Sequence, residues 1–169
     1  MALQALPKTQ EEHAQDPVWL QICGEVEELI RNEPMMADFL NASVLNHSSL
    51  ESALSSQLGH QVDCATVPAR VLCNVISDTF TINDDIRSAM RADLLAVIER
   101  DSACESLHLP LLFFKGFHAL QLHRVAHFLW NQDRKSLALL MQSRASMKFG
   151  VDIHPAAQFG SGIMLDHAT

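Results

Sequence analysis

The chain has 169 residues, 48% of them hydrophobic, enough for one domain with a buried core and a small second unit. Its formal net charge of −8 argues against nucleic acid or an anionic membrane surface as partner, since no broad basic face is available to neutralise phosphates. No apolar run approaches the roughly 18 residues that a membrane span needs, the best candidate being the six-residue LPLLFF.

Residues 1–15 read as a polar tail. They have neither the layout of a secretory signal nor the Arg-rich, acid-poor character of a transit peptide, so the cytoplasm is the expected location. Asp16-Pro17 predicts a helix start, followed by Trp19, Ile22, Val26, Leu29 and Ile30 at helical spacing. Glu33-Pro34 breaks that helix and opens another carrying Met35, Phe39, Leu40 and Val44. Ser48 to Glu51 has the spacing of a capping box before Leu54 and Leu58. Pro68 opens a run with Val71, Leu72, Val75, Ile76 and Phe80. Asn83 is placed to cap the next helix, whose inward stripe is Ile86, Met90, Leu94, Val97 and Ile98. A long helix is expected from Pro110 to about Trp130, and a last one, capped by Asp133, through Phe149. Residues 16–149 thus read as a helical bundle, with Met35, Met36, Phe39, Phe113 and Phe114 as core. The four cysteines contain no CxxC pair and read as reduced core residues.

From residue 150 the rhythm changes. Ile153, Phe159 and Leu165 recur every six residues, as do Val151, Ala157, Ile163 and Thr169, with Gly160 and Gly162 between them. Six fits neither a helix nor a simple strand, but it fits the hexapeptide repeats of a β-helix. A loop that happens to carry Ile, Phe and Leu fits the same short pattern.

The wording is more specific than the period. Arg100-Asp101, then KGFHALQLHRVAHFLW at 115–130, then VDIHPAAQFGSGIMLDHAT at 151–169 resembles the serine O-acetyltransferase family in order and spacing. The resemblance extends upstream through NASVLNHSSLESALSSQL and covers most of the chain. It implies a mainly α fold: a helical assembly domain at 16–149, then, at 150–169, the first turn of a left-handed parallel β-helix. It further implies a homo-oligomer, a hexamer built as a dimer of trimers.

The implied reaction moves an acetyl group from acetyl-CoA, a co-substrate, to the hydroxyl of L-serine, with no permanently bound cofactor. A hydroxyl is a poor nucleophile at neutral pH and needs a base, a task that suits histidine. By resemblance, His167 is that base and Asp152 the carboxylate that orients it, while Asp101 and Asp166 grip the substrate ammonium. The family carries its acetyl-CoA groove in further hexads, so those contacts are expected beyond Thr169. So are a second active-site His, an Arg for the serine carboxylate and a tail that docks into O-acetylserine sulfhydrylase. Glu105 lies where members carry another acid.

His118, His123 and His127 raise the possibility of a metal, but their helix offers no third ligand on the face shared by His123 and His127. Histidines buried with hydrogen bonds, or packed at an interface, are expected instead, with no metal, and His154 is expected at a coil corner. Lys115 and Arg124 are expected to pair with acids. A non-catalytic helical assembly module and another hexapeptide-repeat enzyme, such as a sugar acetyltransferase or a zinc hydratase, are the alternatives.

Overall fold

The computed structural model describes residues 16–168; the tail read at 1–15, and Thr169, lie outside them. Asp16 has extended backbone and its carboxylate accepts from the Val18 amide at 3.1 Å, so α1 (Pro17–Asn32) begins as its N-cap and proline predict. Trp19, Ile22 and Val26 face the core. The single helix expected after Pro34 is instead a 3₁₀ turn at Pro34–Met36, a short α2 (Ala37–Leu40) and a π turn at Asn41–Leu45. Leu40 and Val44, four apart, point inward, whereas Met35 falls on the outer side of the tight 3₁₀ turn and is 97% exposed. The expected core membership of Met35, Phe39 and Phe113 is therefore corrected. Phe39 and Phe113 are half exposed and stack on each other at 6.2 Å, and Met36 and Phe114 pack at the edge of the core.

Helix α3 (Leu50–Gln61) is capped one residue later than expected: Ser49, not Ser48, accepts from the Ser52 amide at 3.2 Å. Glu51 does not close a capping box, because it is drawn inward to Arg91 at 2.8 Å. Helix α4 (Ala69–Ile82) folds back on α3, and the two meet at Gly59. A Cβ there would lie 2.7 Å from the Cys73 backbone nitrogen and 3.0 Å from its Cα. Neither atom can yield without moving a helix. Gly59→Ala is accordingly expected to destabilise the chain by about 1–3 kcal/mol, outweighing a helical gain of about 0.5–1 kcal/mol. Urea denaturation measures this directly, and an unchanged midpoint would show that the helices separate freely.

Asn83 accepts from the Ile86 amide at 3.0 Å and starts α5 (Asp84–Arg100), whose stripe of Ile86, Met90, Leu94 and Val97 is buried as expected. The predicted long helix is in fact two, α6 (His108–Phe113) and α7 (Lys115–Asn131), separated by Phe114 in extended backbone. Asp133 does not cap the last helix. It adopts a left-handed turn (φ 57°) and pairs with Lys135, while Arg134 precedes α8 (Lys135–Phe149). Gly150, with φ of 72°, ends α8 in the left-handed conformation that glycine tolerates best. The α7–α8 pairing is the most extensive in the molecule.

The segment 150–168 has turns and bends but, among the described residues, no strand. Its six-residue positions, Val151, Ile153, Ala157, Phe159, Ile163 and Leu165, are each half-buried. A parallel ladder pairs one coil with the next, and residues 150–168 amount to about one coil.

Candidate active site

The segment after α8 is held on α5 and α7 chiefly through its backbone. His127 Nδ1 lies 2.7 Å from the Pro155 carbonyl oxygen and His123 Nε2 3.2 Å from that of Ala157. Arg124 donates to the Gly160 carbonyl at 2.8 Å and Arg100 to that of Gly162 at 2.7 Å. The Ile163 amide in turn donates to Asp93 at 2.9 Å. Gly116 permits the closest approach, since any Cβ there would run into the Leu165 carbonyl.

This docking closes a cavity of about 210 Å³ between the end of α5, the α6–α7 junction and residues 164–167. Asp101, Asp166 and His167 all line it, together with Lys115 and the apolar walls of Val97, Phe114 and Phe117. Asp101 follows α5 directly, and its Oδ1 accepts from the Ala103 amide at 2.9 Å, which fixes the carboxylate at the cavity edge. His167 sits at φ of 50°, a backbone region that non-glycine residues rarely occupy, and its Nε2 is 3.6 Å from Asp166 Oδ1. Three of the four predicted site residues thus share one pocket.

Asp152 is placed elsewhere. Its Oδ1 accepts from Gln142 on α8 at 2.7 Å, and it does not line the cavity. Glu105 is exposed outside it as well. A larger cavity of about 590 Å³, between α5, α7 and residues 159–161, contains none of the predicted residues.

The α7 histidines are fasteners. His118 bonds the Leu111 carbonyl at 2.7 Å, and burial pushes its imidazole down to about 4. Burial also pushes His123 down to about 4, so it stays neutral and offers one N–H, used on Ala157, while Nδ1 has no hydrogen-bond partner. Among the described residues no group of three or more His, Cys, Asp or Glu side chains is arranged to hold a metal. His154 Nδ1 accepts from the Ala156 amide at 3.1 Å and its ring meets Trp130 edge-on at 4.9 Å, as a corner residue should.

Asp93 escaped the sequence reading. It is fully buried and accepts from Gln121 and from both Nε and Nη2 of Arg124 at 2.8–2.9 Å. Its signal was available: an acid at the second position of the series Met90, Asp93, Leu94, Val97, on the apolar stripe, where an acid is seldom buried without a partner.

A family model described as "Serine acetyltransferase, N-terminal" matches residues 18–122. The chain belongs to the serine acetyltransferase family. The serine acetyltransferase of Haemophilus influenzae is 47% identical over 152 residues, covering 90% of this chain and 57% of that protein. A solved serine acetyltransferase in complex with CoA superposes with a TM-score of 0.88 at 47% identity, over 90% of this chain and 65% of the other. The soybean serine acetyltransferase complexed with serine gives 0.87 at 47% identity, over 90% and 63%. The chain spans about half the length of the curated relatives it matches. No described helix is long and apolar enough to cross a membrane.

Proposed function

We propose that this chain supplies the serine end of a serine O-acetyltransferase site, transferring acetyl from acetyl-CoA to L-serine to give O-acetylserine for cysteine biosynthesis. The observation that carries the reading is the convergence of Asp101, Asp166 and His167 on one small cavity. Two carboxylates suit the ammonium of a zwitterionic amino acid, and an imidazole beside them suits the hydroxyl proton. In this reading His167 takes that proton as the oxygen attacks the thioester carbonyl, and returns it to the departing CoA thiolate. Asp152 is assigned the orienting role by the family likeness alone; its Oδ1 accepts from Gln142 and it lies outside the cavity that His167 lines. Relatives solved with CoA and with serine support the substrate pair. The β-helix, the hexamer and the cytoplasmic setting belong to the same reading and rest on the family likeness.

The test is thiol release from acetyl-CoA on addition of L-serine, with His167→Ala as control. Any serine-dependent release is expected to fall by about 10²–10⁴-fold on substitution. A folded chain that releases no CoA would overturn the reading for this polypeptide and favour the assembly module.

A further inference from the structure

On the reading above, Asp101 and His167 act in one site yet come from different parts of the chain. Asp101 ends α5, whereas His167 lies on the segment after α8. Their separation must be set by whatever docks that segment. We infer that Asp93 is a positioning residue: through its buried bonds to Arg124 and to the Ile163 amide, it fixes the register of Asp166 and His167 against Asp101.

The geometry favours this carboxylate over the other contacts. Asp93 has no exposed surface and receives four donors at 2.8–2.9 Å: Gln121 Nε2, Arg124 Nε, Arg124 Nη2 and the Ile163 amide. Only an ionised acid can accept all four, two on each oxygen; an amide would turn its NH2 group toward two of them. Arg124 Nη2 also reaches the Gly160 carbonyl at 2.8 Å, so the pair grips the segment at two backbone points three residues apart. Both ends of the measuring device are stiff. Asp93 and Asp101 belong to one helix and its cap, about 12 Å apart along the axis at 1.5 Å per residue. On the other side, Ile163 precedes Asp166 by three residues, with Leu165 pressed on Gly116 between them. The bond from Arg100 to the Gly162 carbonyl is a second strut, but it is solvent-exposed and competes with water.

The inference rests on the proposed site for its consequence, yet it can be tested without turnover. The readout is the backbone amide resonance of His167 at one fixed pH, assigned by comparison with His167→Gln. Asp101→Asn changes a wall of the cavity that His167 also lines and is expected to displace that resonance. In an Asp93→Asn background the same substitution is expected to displace it less than half as far, with helical circular dichroism retained. Arg124→Lys keeps a charge beside Asp93 but loses the fork to Gly160, and is expected to give the same loss of coupling. An Asp101→Asn displacement of equal size in all three backgrounds would overturn the inference. So would failure of both background variants to fold, because the pair would then determine the fold rather than the register. Absence of serine-dependent CoA release from the unsubstituted chain would count against the activity alone and leave this result standing.

Discussion

Gly116→Ala is expected to release the 150–168 segment from α7 while leaving the helical bundle folded. Two effects oppose each other here. Alanine in a helix is favoured over glycine by about 0.5–1 kcal/mol, less in a first turn such as this one. Against that, the new Cβ would collide with the Leu165 carbonyl oxygen and come within 3.1 Å of that residue's carbonyl carbon and Cβ. The colliding atom is backbone, so no side-chain rotation relieves it, and overpacking of this kind costs about 1–3 kcal/mol. The cheapest escape is for the segment to lift, giving up the Ile163 bond to Asp93 and the carbonyl contacts of Arg100 and Arg124. Amide exchange locates the damage. Ile163 should lose protection, while α3 and α4 keep theirs. Unchanged protection at Ile163 would mean that α7 itself shifts to make room. Because Asp166 and His167 ride on the lifted segment, the same variant is expected to lose any serine-dependent CoA release.

The helical part was largely legible in the sequence because its signals are local. Asp16-Pro17 and Asn83 cap where they should, and the stripes from Trp19 to Val26 and from Ile86 to Val97 are buried as their spacing requires. The errors fall where non-local forces decide. Glu51 leaves its capping box because Arg91 offers a better partner, and Phe114 interrupts a helix that periodicity alone would continue. Three of the site residues could be named from the family wording and converge in the structure, but nothing local predicted how they are brought together. Asp93 and the fastening roles of His123 and His127 depend on a segment 28 to 70 residues away, and so on contacts that no local window of sequence contains. The six-residue period was readable, whereas the strands it predicts need neighbouring coils to form.

Acid should weaken the fold well above the range where carboxylates titrate. His118 is buried between Phe117 and Phe149, and burial pushes its imidazole down to about 4 despite the opposing bond to the Leu111 carbonyl. The folded chain therefore holds this ring neutral, while the unfolded chain takes up a proton near 6.5. Between those values the unfolded state carries more protons, so the contribution is complete above about 6.5, declines as the pH falls toward 4 and changes no further below it. At pH 4.5 the expected loss from His118 is about 2–3 kcal/mol. His123 is shifted in the same direction, chiefly by burial, and because its N–H holds the Ala157 carbonyl, acid loosens the docked segment in the same window. Glu25 acts lower down. Burial alone would raise it, but bonds from the His108 amide, the Gln21 side chain and the His108 ring together hold it below its ordinary value. Its stabilisation is present above the ordinary carboxylate pKa and is lost as the pH falls below that, so it adds little between 6.5 and 4.5. Urea denaturation at pH 7 and at pH 4.5 isolates the histidine. His118→Gln retains a donor for Leu111 and cannot titrate, so it should unfold with a smaller difference between the two pH values than the unsubstituted chain, by about 2–3 kcal/mol. An equal difference in both proteins would show that His118 is protonated in place without cost, and that the junction of α6 and α7 admits water.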